Sequence, residues 1–184
     1  VKGPNVMTGY HQLDEKTNTI IDADGWLHTG DIAEIDDEGY IFITDRLKDI
    51  MVLSNGKNVA PLPIEQAVSM SVYISQIVLI GEQRNFVSAL IVPNFEKLTQ
   101  FSVINNLDKL SLHELLSHQK VHQLFDDELK KYMAPFSNYE RIKKFELMAV
   151  AFTIDSGELT PTLKPKRKVI HEVYADVISR MYDN

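Results

Sequence analysis

The chain predicts an α+β fold, and three features lead to it. Asp-Gly and Asn-Gly turns separate short apolar runs over its N-terminal third, the pattern of small antiparallel ribbons. Further on, strand-like branched runs alternate with segments whose apolar residues recur at helical spacing. Between the two regimes lies a charged knot, Asp45-Arg46-Leu47-Lys48-Asp49, with Ile41, Phe42 and Ile43 before it and Ile50, Met51, Val52 and Leu53 after it. A polar knot between apolar strands is a turn at least, and hinges also use residues at element ends. Interleaved helices and strands make one α+β unit from about residue 49 to residue 184.

The elements follow in order. Residues 1–10 read as irregular, punctuated by Gly3, Pro4, Asn5 and Gly9. Thr19, Ile20 and Ile21 form a short strand, and Asp22-Ala23-Asp24-Gly25 turns the chain. Ile32 to Ile35 is a strand, Asp36-Asp37-Glu38-Gly39 a turn, and Tyr40 to Thr44 the returning strand. Such short strands bury little by themselves and need a partner sheet. Ile50 to Leu53 pairs with Asn58 to Ala60 across an Asn-Gly turn. Pro61 and Pro63 open a helix to about Ser71, with Ile64, Ala67 and Val68 on its buried face and Glu65 placed to suit the helix dipole. Residues 77–80 and 86–93 are strands and 95–99 a short helix. A longer helix spans 112–132, its stripe carrying Leu115, Leu116, Gln119, His122, Leu124, Phe125 and Leu129, and Pro135 ends it. Residues 142–152 are a strand and 153–163 a turn-rich loop. A closing helix over 169–181 places Val169, Val173, Val177 and Met181 on one face.

Composition narrows the function classes. An apolar fraction of 44% in 184 residues suffices for a core. A net charge of -7 disfavours a non-specific nucleic-acid binder. The absence of cysteine removes disulfides, thiolate catalysis and thiolate metal ligation, and fits a reducing compartment. No apolar run approaches the ~18 residues of a membrane span. Residues 1–10 lack the pattern of a signal peptide and read as starting inside a domain, as in a fragment of a longer protein.

Several residues suit chemistry. Lys164 sits between Leu163 and Pro165, with hydroxyls at Thr160 and Thr162 and further cations at Lys166, Arg167 and Lys168. A loop of this kind can present one ammonium to charge developing on a phosphate or carboxylate oxygen; a solvated charge cluster at a helix start has the same composition. Asp31, after Thr29-Gly30, can accept both hydroxyls of a ribose or simply form a turn. Arg46 can hold the same ribose or a phosphate, or pair on the surface with Asp45 or Asp49. Gly56, in Ser54-Asn55-Gly56-Lys57-Asn58, matches no nucleotide-binding fingerprint, so a turn is its reading from chemistry alone. His118 and His122 are four apart but lack the glutamate and third ligand of a zinc site. His28, beside Trp26, reads as packed or surface-exposed. Asp22-x-Asp24-Gly25 is too short for a calcium loop.

Taken together, these segments resemble the C-terminal part of an adenylate-forming enzyme and are most similar to long-chain fatty-acid–CoA ligases. The resemblance covers essentially the whole chain. Residues 1–10 resemble the segment closing the acyl and nucleotide pocket. Residues 25–31 resemble the signature around the ribose-binding aspartate, and 45–49 the interdomain linker. Asn55 to Pro61, followed by Ile64-Glu65, resembles the thioesterification loop of the long-chain subgroup. Leu159-Thr160-Pro161-Thr162-Leu163-Lys164, with Lys166 and Arg167, resembles the catalytic-lysine loop.

The resemblance implies roles. Residues 1–47 end the large domain and 48–184 form a mobile C-terminal lid turning about Lys48. Asp31 binds the ribose of ATP and of the acyl-adenylate, assisted by Arg46. Lys164 contacts the carboxylate and α-phosphate during adenylation. Gly56 enters the site in the second step, where a residue without a side chain lets the pantetheine arm of coenzyme A pass; Lys57 and Asn58 neighbour that passage. Long-chain fatty acid, ATP and coenzyme A are the implied reactants and Mg2+ the implied metal. The phosphate loop, most of the acyl tunnel and the magnesium-binding glutamate belong to a large N-terminal domain expected before residue 1. The implied parent is cytoplasmic, with peripheral membrane association as the alternative, and the fragment alone is expected to be inactive. Pro165 departs from the aliphatic or basic residue many relatives carry. Three rivals remain: a lid from a ligase for another carboxylic acid, such as an aryl or medium-chain acid; a binding module that has kept the lid fold without its chemistry; and a nucleic-acid binder, which the acidic balance disfavours.

Overall fold

The computed structural model describes residues 1–183, apart from the side chain of Asp45. The chain forms two compact units, Val1–Asp49 and Ile50–Asn184.

The first unit holds α1 (Asp14–Ile20) and an antiparallel ribbon of β1 (Asp31–Ile35) and β2 (Ile41–Arg46). The strand expected at Thr19–Ile21 is corrected. These residues end α1, whose first turn carries Asp14 and Glu15, and only Ile21 bridges to Leu27. Acids in a first turn favour helix through the dipole, which the β-branched residues do not outweigh. In the β1–β2 turn, the Asp36 carboxylate accepts from the amides of Glu38 and Tyr40 while Gly39 takes φ +88°. None of the described residues of this unit is buried, and Ile35, Tyr40, Ile41, Phe42 and Ile43 are all at least 55% exposed. The ribbon has no core of its own, as two short strands require.

The second unit is layered. Its hairpin of β3 (Met51–Val52) and β4 (Asn58–Val59) precedes α2 (Pro61–Val68). A three-stranded sheet follows, with β6 (Val87–Pro93) central, β5 (Ile74–Ile80) antiparallel to it and β7 (Ile142–Leu147) parallel. The crossover from β6 to β7 carries α3 (Phe95–Ile104), α4 (Leu112–Leu116) and α5 (Gln119–Tyr132); α6 (Arg167–Val173) and α7 (Ala175–Tyr182) close the unit.

Successive strand residues point to opposite faces, and both faces are covered. Ile77 and Leu79 of β5 and Ala89 and Ile91 of β6 pack with the hairpin, α2 and α5 through Val59, Ile64, Phe125 and Leu129. Val78, Ile80, Leu90 and Val92 face α6 and α7 through Ile170, Ile178 and Met181. Burial on two sides explains why β5 and β6 read as continuous apolar runs rather than alternating ones.

Several boundaries differ from expectation: α2 ends at Val68 rather than near Ser71, and β5 begins at Ile74 rather than Ile77. The 95–99 helix continues to Ile104. The single helix over 112–132 is two, divided at Ser117 and His118. A capping box at Ser111 and Glu114 starts the first, and the His118 ring accepts from the Lys120 amide to start the second. The strand over 142–152 stops at Leu147, because Met148 and Phe152 turn into the core instead. The closing helix breaks at Tyr174; of the expected face Met181 is buried and Val177 partly buried, but Val173 is 59% exposed, and Ile170 and Ile178 supply the rest of the buried side.

Candidate functional site

Asp31 and Arg46 come together in the first unit. They face each other in the β1–β2 register, and Arg46 Nε lies 3.0 Å from Asp31 Oδ1. Antiparallel pairing supplies Asp31 as a partner that sequence separation alone did not suggest, and the expected pairing with the Asp45 side chain lies outside the described residues. A bulge between Ile32 and Ala33 and the left-handed Gly30, φ +73°, turn the chain into this position. The result is a half-buried carboxylate beside a guanidinium, offering acceptors and donors side by side to a polyhydroxyl ligand. Nearby turn chemistry is structural: Asp22 accepts from the amides of Asp24 and Trp26 and from His28. Those backbone and His28 hydrogen bonds hold the Asp22 carboxyl below its usual value. Lys48 lies exposed in the turn that follows β2, where the Asp49 amide donates to Arg46 O.

Gly56, Lys57 and Asn58 form the exposed tip and return strand of the β3–β4 hairpin. Gly56 has φ +79° and no heavy atom within 4 Å of where a Cβ would stand. The tip is a left-handed turn open to solvent, and only its backbone shape demands glycine. The Asn55 carboxamide accepts from the Lys57 amide at 3.1 Å, and Lys57 Nζ sits 5.3 Å over the Tyr139 ring. The hairpin base is fixed to the β5–β6 turn: Ser54 donates to Arg84 O, Gln83 donates to Val52 O, and the Val52 amide donates to Glu82.

Lys164 stands exposed on a second turn of the same unit. Leu159 and Pro165 form an antiparallel bridge, making residues 159–165 a small hairpin. The Thr160 amide donates to Lys164 O at 2.9 Å, and the Lys164 amide donates to Thr160 Oγ1 at 3.0 Å. Leu163 takes φ +61° to close the turn. Pro165 fits because the bridge bonds fall on either side of it: Thr160 N to Lys164 O, and Lys166 N to Glu158 O. A proline there removes no donor that the pairing needs.

Buried polar groups fix both ends of this loop, and the sequence reading missed them. At its start, the Gln76 side chain donates to Phe152 O and accepts from Phe152 N. Glu158 is 4% exposed and accepts from Ser156 Oγ, Tyr174 Oη and the Thr153 amide. Burial pushes its carboxyl up, but these three donors outweigh that and hold it below the usual range. Burial, with the bond to Glu158, pushes the Tyr174 phenol up to about 12. At the loop's end, Arg167 donates to both Glu65 oxygens at 2.9 and 2.8 Å and to Leu79 O at 3.1 Å, while the Leu79 amide donates to Glu65 Oε1 at 2.8 Å. Glu65 is therefore a buried ion-pair partner, which corrects its reading as an acid placed for the helix dipole. Its signal was available: an acid between Ile64 and Val68 on the apolar face of a helix needs a buried partner.

His122 stacks on Phe145 at 5.4 Å and His118 caps α5, so neither sits in a ligand cluster. Among the described residues, no group of three His, Cys, Asp or Glu could hold a metal ion. No described helix is long and apolar enough to cross a membrane.

The family model described as "AMP-binding enzyme C-terminal domain" matches residues 48–184. A long-chain-fatty-acid–CoA ligase of Mycobacterium tuberculosis is 36% identical over all of this chain and 30% of its own length. One from Rattus norvegicus is 33% identical over 98% of this chain and 28% of its own length, so the chain spans under a third of such relatives. In structure, the chain is similar to the adenylation domain of a carboxylate reductase from Mycobacterium chelonae, with TM-score 0.81 and 26% identity over 100% of this chain and 27% of that one. It is also similar to that of a carboxylic acid reductase from Segniliparus rugosus in complex with AMP and a co-purified carboxylic acid, with TM-score 0.79 and 26% identity over 98% of this chain and 27% of that one.

Proposed function

The chain belongs to the AMP-binding enzymes and carries their C-terminal domain, and from that premise we propose that it is the C-terminal part of an ATP-dependent long-chain fatty-acid–CoA ligase. Residues 1–47 end the large nucleotide-binding domain, 48–184 are the lid, and Lys48 is the hinge. The observation that carries the reading is the distribution of exposed turns. The Lys164 turn and the Gly56 turn stand on one compact unit, and the Asp31–Arg46 pair stands on the other.

The chemistry has two steps. A carboxylate oxygen of the fatty acid attacks the α-phosphorus of ATP, and diphosphate leaves, giving acyl-AMP. Asp31 accepts the ribose hydroxyls, with Arg46 beside it donating. The Lys164 ammonium neutralises charge on the carboxylate and α-phosphate oxygens as the bond forms. The lid then turns about Lys48, withdrawing Lys164 and bringing in the Gly56 turn. With no side chain at Gly56 the pantetheine arm passes close to the backbone, flanked by Lys57 and Asn58. The thiolate sulfur of coenzyme A attacks the acyl carbon, and AMP leaves. Magnesium supplies charge neutralisation on the phosphates when bound, and its ligands lie outside this chain.

Full-length protein containing this chain, given ATP, palmitate and coenzyme A, is expected to release AMP and palmitoyl-CoA. The chain alone is expected to produce no AMP. Absence of thioester with every chain length of fatty acid tried would refute the reading. The likeness to carboxylic acid reductase adenylation domains favours, as second reading, a lid serving a different carboxylic acid. An aryl or medium-chain acid turned over in place of palmitate would establish that.

A further inference from the structure

We infer that Glu65 and Arg167 are positioning residues for Lys164, locking its loop to the helix that follows the Gly56 turn. This rests on the role proposed above for Lys164. Three observations carry it.

First, the ion pair sits where the lysine loop re-enters the fold. Arg167 is three residues beyond Lys164 and begins α6, and its guanidinium holds both oxygens of Glu65. Nη2 donates to both of those oxygens while Nη1 donates to Leu79 O, so the planar guanidinium is oriented between the carboxylate and the strand carbonyl.

Second, the pair closes the outer edge of the sheet. β5 is an edge strand, and its Leu79 amide and carbonyl are taken by Glu65 and Arg167 respectively. The two side chains stand in for a neighbouring strand, and Glu65 is 8% exposed. A pair of a buried carboxylate and a half-buried guanidinium held in this way favours one arrangement, because removing either partner would leave a charge and a strand amide or carbonyl unmatched.

Third, little else holds the lysine turn on that side. An open groove of about 400 Å3 runs between α2, β5 and the loop, with Leu163 and Pro165 on its rim. Leu163 is 67% exposed. Lys164 is therefore located by the ends of its loop rather than by packing along it. Of the two ends, only the Glu65–Arg167 end reaches α2, which starts directly after β4 of the Gly56 hairpin. The two catalytic turns then move as one rigid body when the lid rotates.

The test uses full-length protein and measures each half-reaction separately. Acyl-AMP formation is followed by ATP–diphosphate exchange with palmitate, and thioester formation from supplied palmitoyl-AMP and coenzyme A. Arg167→Met and Glu65→Gln are expected to slow adenylation by about 10- to 100-fold in kcat, the scale of an ångström-level displacement, with the KM for ATP little changed. Thioester formation is expected to stay within about three-fold of wild type. Arg167→Lys, which keeps the charge but not the fork, is expected to recover part of the adenylation rate. Hydrogen exchange at residues 159–166 is expected to rise in the slowed variants. Equal loss in both half-reactions, including loss through unfolding, or no loss in either, would overturn the inference. If wild-type protein forms no acyl-AMP, or Lys164→Ala forms it at the wild-type rate, the proposed function itself fails and the inference falls with it.

Discussion

Replacing Tyr174 by phenylalanine removes one hydroxyl and leaves the ring where it packs, edge-on to Phe152 at 5.7 Å. That hydroxyl donates to Glu158 Oε1 at 2.5 Å, at the start of the lysine loop. A hydrogen bond to a charged group contributes about 1.5–3 kcal/mol. The phenol is pushed from 10.0 up to about 12, first by burial and then by this bond to Glu158, so the bond favours the protonated phenol. Tyr174→Phe is therefore expected to destabilise the second unit by about 2 kcal/mol, lowering a urea midpoint by roughly 1 M. Far-UV circular dichroism is the readout, because the single tryptophan, Trp26, lies in the first unit. The pH dependence has a definite sign. A phenol raised on folding stabilises fully below its unfolded value near 10 and loses that contribution as pH climbs through about 12. The difference between wild type and variant is thus constant to pH 10 and then shrinks. Glu158, lowered on folding, stabilises above the carboxyl's ordinary value and loses its contribution as pH falls below it. A difference under about 0.5 kcal/mol at neutral pH, or one unchanged between pH 9 and 12, would refute this account of the loop's anchor.

Two further predictions concern the other sites. Gly56→Val places a β-branched residue at φ +79°, costing about 1–2 kcal/mol in urea unfolding; in full-length protein it slows thioester formation while acyl-AMP formation persists, and Gly56→Asn is milder in both assays because asparagine tolerates the left-handed turn. Asp31→Ala removes the carboxylate from Arg46 and raises the KM for ATP by about 10-fold or more, while the urea midpoint of the second unit stays at its wild-type value.

What could be read from the sequence was local. The Gly56 hairpin was legible because its turn chemistry lies within a few residues, and Asn55 bonds the Lys57 amide as that chemistry requires. β5 and β6 were legible as branched runs bounded by turn residues. The closing helix was misread because two valine spacings satisfied a helical stripe, while the burial that decides faces belongs to Ile170 and Ile178 on either side of a break at Tyr174. The Glu65–Arg167 pair joins residues 102 apart, and no spacing rule reports such a contact. Arg46 shows the same limit on a smaller scale. Its neighbours in sequence are acids, and a partner also lies across the ribbon at Asp31. In both cases the chemistry was visible in residue type and hidden in register.

The two-faced lid is tested most directly by Lys164→Ala in full-length protein, with the half-reactions measured separately. The account predicts that ATP–diphosphate exchange with palmitate falls by at least about 100-fold, while palmitoyl-CoA still forms from supplied palmitoyl-AMP at close to the wild-type rate. Undiminished exchange, or loss of both activities together in a folded protein, would contradict it.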